Sequence, residues 1–344
     1  MNDFEFPHEP KVEISMTDDE KKSHKKIFSK IGFAFLAYIL ISQGVMVLAV
    51  YAIAAYDARL LESGNFVLIL NSVVQYIVAF PVLYLLLKSI PKRTPIRSSV
   101  GGKVFLKYAV VSMFIVYIGN YISTIIMTNI EALLGIKPEN AVDSVLDNTS
   151  VLLSALVVGI IGPIVEELIF RKLFVDRLSP YGEAIAIVFP SLIFGLFHGN
   201  LYQFFYAFFL GVIFSYIYIR TGKIIYSMTL HMFINLFCGV FPSAVMKMFN
   251  YEEFLELLIA GTLTEEYANA NMLPIVLLGA YEIIMLAMVG AGIAVFTRNL
   301  KNVRLNKGEV RFPKGATAEV VFFNAGTIAL IAVCLLLIAY NTFV

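Results

Sequence analysis

Lys107, Glu166, Glu167, Arg171, His198, His231 and Glu282 are the ionisable side chains that interrupt otherwise apolar stretches of this 344-residue chain. An ionisable group inside such a stretch is costly to keep, so each is a candidate for function. Glu167 and Arg171 are four residues apart. On a helix they share a face and can pair directly, which would neutralise both charges in a low-dielectric setting. Glu166 is rotated about 100° from Glu167 on such a helix and is left without that partner. It is therefore the better candidate for a carboxylate that addresses water or substrate. Gly162-Pro163 just before it loosens the preceding turn and could open room for a ligand. The plain alternative is that the two glutamates and the arginine only knit helices together.

Four histidines occur in the sequence. His8 and His24 lie in a polar N-terminal stretch and are expected to be solvated. His198 and His231 lie in apolar runs. A lone histidine on an apolar face is ordinarily a satisfied core residue, but two of them beside a spare glutamate ask for another explanation. His231 carries Asn235 four residues on, so imidazole and carboxamide project from one face. His198 carries Phe194 four residues before it, and that ring can wall one side of the imidazole. Lys107 lies near the end of its apolar run and can snorkel. Glu282 sits deeper, as a buried packing residue or as the lining of a cavity.

The elements that must position these groups follow from composition. Of the residues, 59% are hydrophobic and 15% charged, with a mean hydropathy of +0.81, against roughly 45–50% and about 25% in soluble domains. That excludes a soluble globule, disorder, a collagen and a disulfide scaffold. What remains is an all-α, polytopic bundle of transmembrane helices. Apolar stretches long enough to span, about 20 residues each, lie near 31–55, 65–87, 104–130, 151–175, 184–200, 201–219, 224–246, 273–297 and 320–343. They give eight or nine spans, because 184–219 is short for two and 248–272 could dip into the membrane. The net charge of +1 gives no basic field for nucleic acid. Cys238 and Cys334 lie in apolar runs and imply neither a disulfide nor a thiol site.

Basic residues gather before the first span, at 88–103, at 171–177, at 220–223 and at 298–314, and the alternate loops are poor in Lys and Arg. The charge bias puts the N-terminus in the cytoplasm of a multi-pass protein, most simply of the plasma membrane. The chain then divides into a polar tail with a basic collar (1–30), N-terminal transmembrane helices (31–130), a core (150–240) and C-terminal transmembrane helices (273–344). The turn Ser179-Pro180-Tyr181-Gly182 serves as a depth marker at about 1.5 Å per helical residue. By that measure Glu166 and His198 agree in depth within roughly 6 Å, and His231 lies shallower by nearly two turns. Tilted or broken helices would have to close that gap.

At these residues the sequence resembles the CAAX-processing and bacteriocin-processing (Abi) family of intramembrane endopeptidases. The family pattern is Glu-Glu-x-x-x-Arg, then Phe-x-x-x-His, then His-x-x-x-Asn on successive hydrophobic helices. Glu166-Glu167-x-x-x-Arg171, Phe194-x-x-x-His198 and His231-x-x-x-Asn235 match it in order, within roughly residues 150–240. Lys172 departs from it, since members usually have glycine after the arginine. The resemblance implies peptide-bond hydrolysis in or beside the membrane, with a peptide or membrane-protein substrate and the lipid bilayer as partners. Members are described both as metallopeptidases and as glutamate-dependent peptidases. A metalloprotease site would take Glu166, His198 and His231 as zinc ligands with one position open, although no His-Glu-x-x-His helix is present. The preferred scheme requires no cofactor. In it Glu166 is the general base on a water, His198 orients that water and protonates the leaving amine, and His231 and Asn235 stabilise the oxyanion. Glu167, Arg171 and Phe194 give structural support. Two readings compete with it: a proton-coupled transporter, and a non-catalytic immunity or partner protein that keeps the motifs for binding.

Overall fold

The first helix starts from a capping box. The Thr17 hydroxyl accepts from the Glu20 amide, and the Glu20 side chain accepts from the Thr17 amide, with Asp18, Asp19 and Glu20 at the positive end of the helix dipole. This is a computed structural model, and it describes residues 16–136 and 140–343. His8 and Glu139 lie outside the described residues.

Among the described residues, eight helices are long and apolar enough to cross a membrane, with one shorter apolar helix among them. In chain order they are α1 (Asp18–Glu62), α2 (Gly64–Leu87), α3 (Gly102–Leu134), α4 (Val151–Tyr181), the shorter α5 (Glu183–Phe197), α6 (Leu201–Thr221), α7 (Ile224–Met246), α8 (Met272–Asn302) and α9 (Ala325–Phe343). No strand is formed among the described residues; Gly182 and Lys307 make an isolated bridge. The chain is an integral, multi-pass membrane protein. The 248–272 stretch forms two short helices, Tyr251–Ile259 and Glu265–Ala270.

Two apolar clusters hold the bundle. One joins α1, α2, α4, α5 and α9 around Phe28, Phe35, Phe170, Phe174, Phe189 and Phe194. The other joins α3, α6, α7 and α8 around Met113, Phe214, Leu230 and Met285. Lipid offers no hydrophobic drive between helices, so close backbone approach matters more than in water. Gly32 of α1 and Gly326 of α9 supply it: a Cβ on either would collide with the other helix's backbone.

α1 begins well before the apolar run, so residues 18–30 are helical rather than tail. That corrects the expectation for His24, which is part-buried, with Nδ1 at 3.0 Å from the Tyr181 hydroxyl and its ring edge-on to Tyr181 and Phe312. Lys21 and Lys25 reach Glu319 in the short helix Ala316–Val321. Their hydrogen bonds hold the Glu319 carboxyl below the usual carboxylate range. Glu282 is a second correction. Tyr281 is the residue that turns inward on α8, and Glu282, one position on, is exposed on the outer face. Lys107 is exposed, as snorkelling requires.

Two loops strap the ends of the core helices. In 88–101, the Arg93 amide donates to the Asp176 carbonyl (2.7 Å) and the Ser98 amide to the Thr221 carbonyl (2.8 Å). In 303–315, the Val310 amide donates to the Pro180 carbonyl (3.0 Å).

Candidate active site

Pro163 has no amide proton to donate, so the turn before it cannot close in regular α-helical fashion. The structure answers with a π-helical segment, Val157–Ile161, immediately before the α-helical Gly162–Glu167. A second one, Leu168–Val175, follows. The two motif glutamates thus sit on a short α-helical stretch between widened turns, a device frequent at functional sites. α7 carries its own π segment, Asn235–Val240, opposite the first.

Glu167 and Arg171 are both wholly buried and pair as expected. Arg171 donates from Nε to Oε2 (3.0 Å) and from Nη2 to Oε1 (3.2 Å). Its third arm donates to the Ser215 hydroxyl (2.9 Å) on α6, and the guanidinium lies 5.7 Å from the ring centres of both Phe194 and Phe214. A carboxylate in this setting is satisfied and unavailable for chemistry.

Glu166 faces elsewhere. Its side chain keeps 19% exposure, and its Oε2 lies 3.6 Å from His231 Nε2. The other nitrogen of His231, Nδ1, lies 3.3 Å from Glu167 Oε1. A carboxylate can only accept, so Nδ1 carries the proton there and Nε2 is presented to Glu166. His198 is set in the same way. Its Nδ1 donates to the Phe194 carbonyl (2.7 Å), which leaves Nε2 as the acceptor nitrogen. It stands at the corner between α5 and α6, where Gly199 adopts φ = 68° and Asn200 caps α6 by accepting from the Gln203 amide. Glu166 and His231 are both within electrostatic reach of His198.

Phe194 walls more than the sequence implied. Its ring is edge-on to His198 (4.8 Å) and to His231 (5.8 Å). Asn235 donates one carboxamide N–H to the Val158 carbonyl (2.9 Å) inside the π segment of α4, where a regular partner is missing. Its other N–H carries no hydrogen bond among the described residues.

Despite the depth mismatch expected from the turns, Glu166 and His231 meet, with Oε2 and Nε2 3.6 Å apart. Asp176 of α4 accepts from the Tyr218 hydroxyl of α6 at 2.6 Å, and α4 continues beyond it to Tyr181 before the Gly182 bend. Lys172, the departure from the family pattern, also belongs to this corner. Its ammonium lies 2.6 Å from the Tyr218 hydroxyl and 3.6 Å from Asp176.

Two residues that sequence reasoning missed complete the surroundings. Tyr76, in the π segment Val74–Ala79 of α2, brings its hydroxyl to 3.3 Å from where a Cβ on Gly162 would lie. Tyr38 of α1 is buried beside Phe35 and Phe197. The available signal was the polar run Asn71, Ser72, Gln75 and Tyr76 inside an apolar stretch. Among the described residues, no group of three or more His, Cys, Asp or Glu side chains is arranged to hold a metal ion.

Comparison with known proteins agrees with the motif region. A family model described as Type II CAAX prenyl endopeptidase Rce1-like matches residues 148–237. The chain is 30% identical over 171 residues to the putative membrane peptidase YdiL of Bacillus subtilis (strain 168), covering 48% of this chain and 68% of that protein. It is 27% identical over 233 residues to the membrane-embedded CAAX protease MroQ of Staphylococcus aureus (strain USA300), covering 64% and 93%. No solved structure matches it.

Proposed function

The chain belongs to the Rce1-like family of CAAX membrane peptidases, and from that premise we propose that it is an intramembrane endopeptidase with Glu166 as its general base. One observation carries the proposal: of two adjacent glutamates, Glu167 is bound twice by Arg171, while Glu166 keeps 19% of its side chain exposed and faces His231 Nε2.

The residues divide the work as follows. A water held between Glu166 and His198 Nε2 loses a proton to Glu166 as its oxygen adds to the peptide carbonyl carbon. The carbonyl π electrons move to the oxygen. His231, oriented through Nδ1 by Glu167, and the second N–H of Asn235 donate to that oxyanion. Donation by His231 requires Nε2 to carry a proton alongside Nδ1. When the C–N bond breaks, the proton taken by Glu166 passes through His198 Nε2 to the leaving nitrogen. The products are a free amine and a carboxylic acid, and the enzyme is restored. Phe194 and Phe214 keep bulk water from these groups, which strengthens every polar contact among them.

The substrate class is a peptide or a membrane-protein segment reached from the bilayer, with the basic loops facing the cytoplasm of the plasma membrane. The polar groups are concentrated on α4, α5 and α7 rather than spread along a path through the bilayer, which favours hydrolysis over proton-coupled transport. The test is purified protein in detergent or bilayer with a peptide library, with and without a chelator. Cleavage is expected to survive the chelator and to vanish in Glu166→Gln. Cleavage that persists in that variant overturns the assignment of the base. Loss on chelation with recovery on added zinc overturns the metal-free scheme.

A further inference from the structure

Beside the start of α5, away from the motif residues, a cavity of about 760 Å³ opens between that helix and the 303–315 loop. Its cationic lining is Lys307, Arg311 and Lys314, and among the described residues no carboxylate lines it. The two nearby acids are engaged elsewhere. Glu183 accepts from both guanidinium arms of Arg220 (3.1 and 2.8 Å) and from the Asn306 amide and carboxamide (2.9 and 3.0 Å). Glu309 pairs with Arg93. Among the described residues, neither Lys307 nor Lys314 has an ion-pair partner. Arg311 donates from Nε to the Gly308 carbonyl (3.3 Å), which fixes its guanidinium at the mouth.

The loop is a built wall. Beyond the Glu183–Asn306 bonds, the Val310 amide donates to the Pro180 carbonyl (3.0 Å), and Phe312 stacks on Tyr181 at 5.7 Å. The opposite wall is apolar. Ala184 and Ile185 line the cavity, and Val188, one turn deeper on α5, is 42% exposed. Cations at one end and an outward-facing apolar helix surface at the other match a molecule with an anionic head and a hydrocarbon tail. A soluble anion would leave the apolar wall wet, and a zwitterionic lipid would leave Lys307 and Lys314 without a net counter-charge.

We infer that this cavity binds an anionic phospholipid, its phosphate among Lys307, Arg311 and Lys314 and an acyl chain along Ala184, Ile185 and Val188. Basic pockets beside transmembrane helices on the side of the positive loops select such headgroups. The site is distinct from the motif residues, so its test is independent of peptidase activity.

The experiment titrates the full-length protein in mild detergent with dioleoylphosphatidylglycerol, dioleoylphosphatidylcholine or inorganic phosphate, following thermal unfolding and lipid retention by native mass spectrometry. Phosphatidylglycerol is expected to raise the melting temperature and to be retained, and the other two are not. The Lys307→Gln/Arg311→Gln/Lys314→Gln variant is expected to bind phosphatidylglycerol about tenfold or more weakly. A control, Lys26→Gln/Lys103→Gln/Lys301→Gln, removes the same charge outside the pocket and is expected to bind as wild type. Equal stabilisation by inorganic phosphate or by phosphatidylcholine overturns the proposal, as does equal weakening in the control. If the triple pocket variant does not fold, competition between the two lipids on the wild-type protein decides, and equal retention overturns the proposal.

Discussion

Arg171 grips Glu167 through two hydrogen bonds of 3.0 and 3.2 Å, one helical turn apart on α4, with both side chains wholly buried. The pair therefore behaves as one neutral unit, and its value lies in what it orients: the Glu167 oxygen that binds Arg171 Nη2 also faces His231 Nδ1. Removing one member strands the other. Arg171→Ala is expected to destabilise the fold by about 3–5 kcal/mol, because an unpaired carboxylate is left in the core. Glu167→Gln/Arg171→Met, of similar volume and without charge, is expected to recover most of that loss. Thermal unfolding of the two variants in one detergent checks this, and a double variant less stable than Arg171→Ala would contradict it. Cleavage is not expected to return in full with stability, because the glutamine carbonyl still accepts from His231 Nδ1 but no longer supplies the negative charge that favours a doubly protonated ring.

Asn235 bridges two widened turns. Its bond to the Val158 carbonyl supplies an acceptor group in α4 with a partner that the π segment denies it. Asn235→Leu keeps the volume and leaves that carbonyl unpaired, at an expected cost of about 1–3 kcal/mol. The proposed oxyanion role adds a second effect: kcat of the folded enzyme is expected to fall as well. A variant that loses stability but keeps kcat per folded molecule would confine Asn235 to holding α4 and α7 together.

Lys172 stands where members of the family usually have glycine, and here it reaches the Tyr218 hydroxyl and the buried Asp176. Lys172→Met retains the stem and removes the ammonium. The expected loss is about 1–3 kcal/mol, since a buried carboxylate gives up a charged partner. Lys172→Gly adds about 1 kcal/mol of helix propensity. Neither is expected to change the cleavage rate at temperatures where the protein stays folded, because Lys172 is more than a turn beyond Glu166. A large drop in kcat at unchanged KM would show that this corner reaches the site.

What could be read ahead of the structure was local. The Glu167–Arg171 pair follows from four-residue spacing, and the disturbed turn follows from Gly162-Pro163. The apolar runs follow from composition, since a backbone in hydrocarbon must form helices. What stayed hidden depends on contacts between distant segments. The meeting of His231 with Glu166 depends on how α7 packs against α4, which no single run encodes. The charged neighbours of His24 point to solvent, yet α1 starts at Asp18 and carries it to Tyr181. Spacing places Asn235 on one face with His231, but its partner is a carbonyl on another helix, freed only because that helix is locally π. Tyr38 and Tyr76 lie outside the motif region altogether, and only the packing of α1 and α2 against α4 brings them near Glu166.

Tyr76 yields the last prediction. Its hydroxyl lies 3.3 Å from the Cβ position above Gly162, one turn before Glu166, and it has no hydrogen-bond partner among the described residues. The absence of a side chain at Gly162 is what leaves that hydroxyl its place. A phenol beside the proposed base can donate to its carboxylate or to the water it activates, so Tyr76 is a positioning residue in this scheme. Tyr76→Phe keeps the ring and removes only the oxygen, so melting temperature is expected to stay within the range of a neutral surface change, about ±0.5 kcal/mol. kcat is expected to fall about tenfold with little change in KM, the signature of an interaction made in the transition state. Gly162→Ala attacks the same contact from the other side by crowding the hydroxyl, and it is expected to lower kcat in the same direction. Full activity in Tyr76→Phe would remove α2 from the catalytic account, leaving it as a wall of the site.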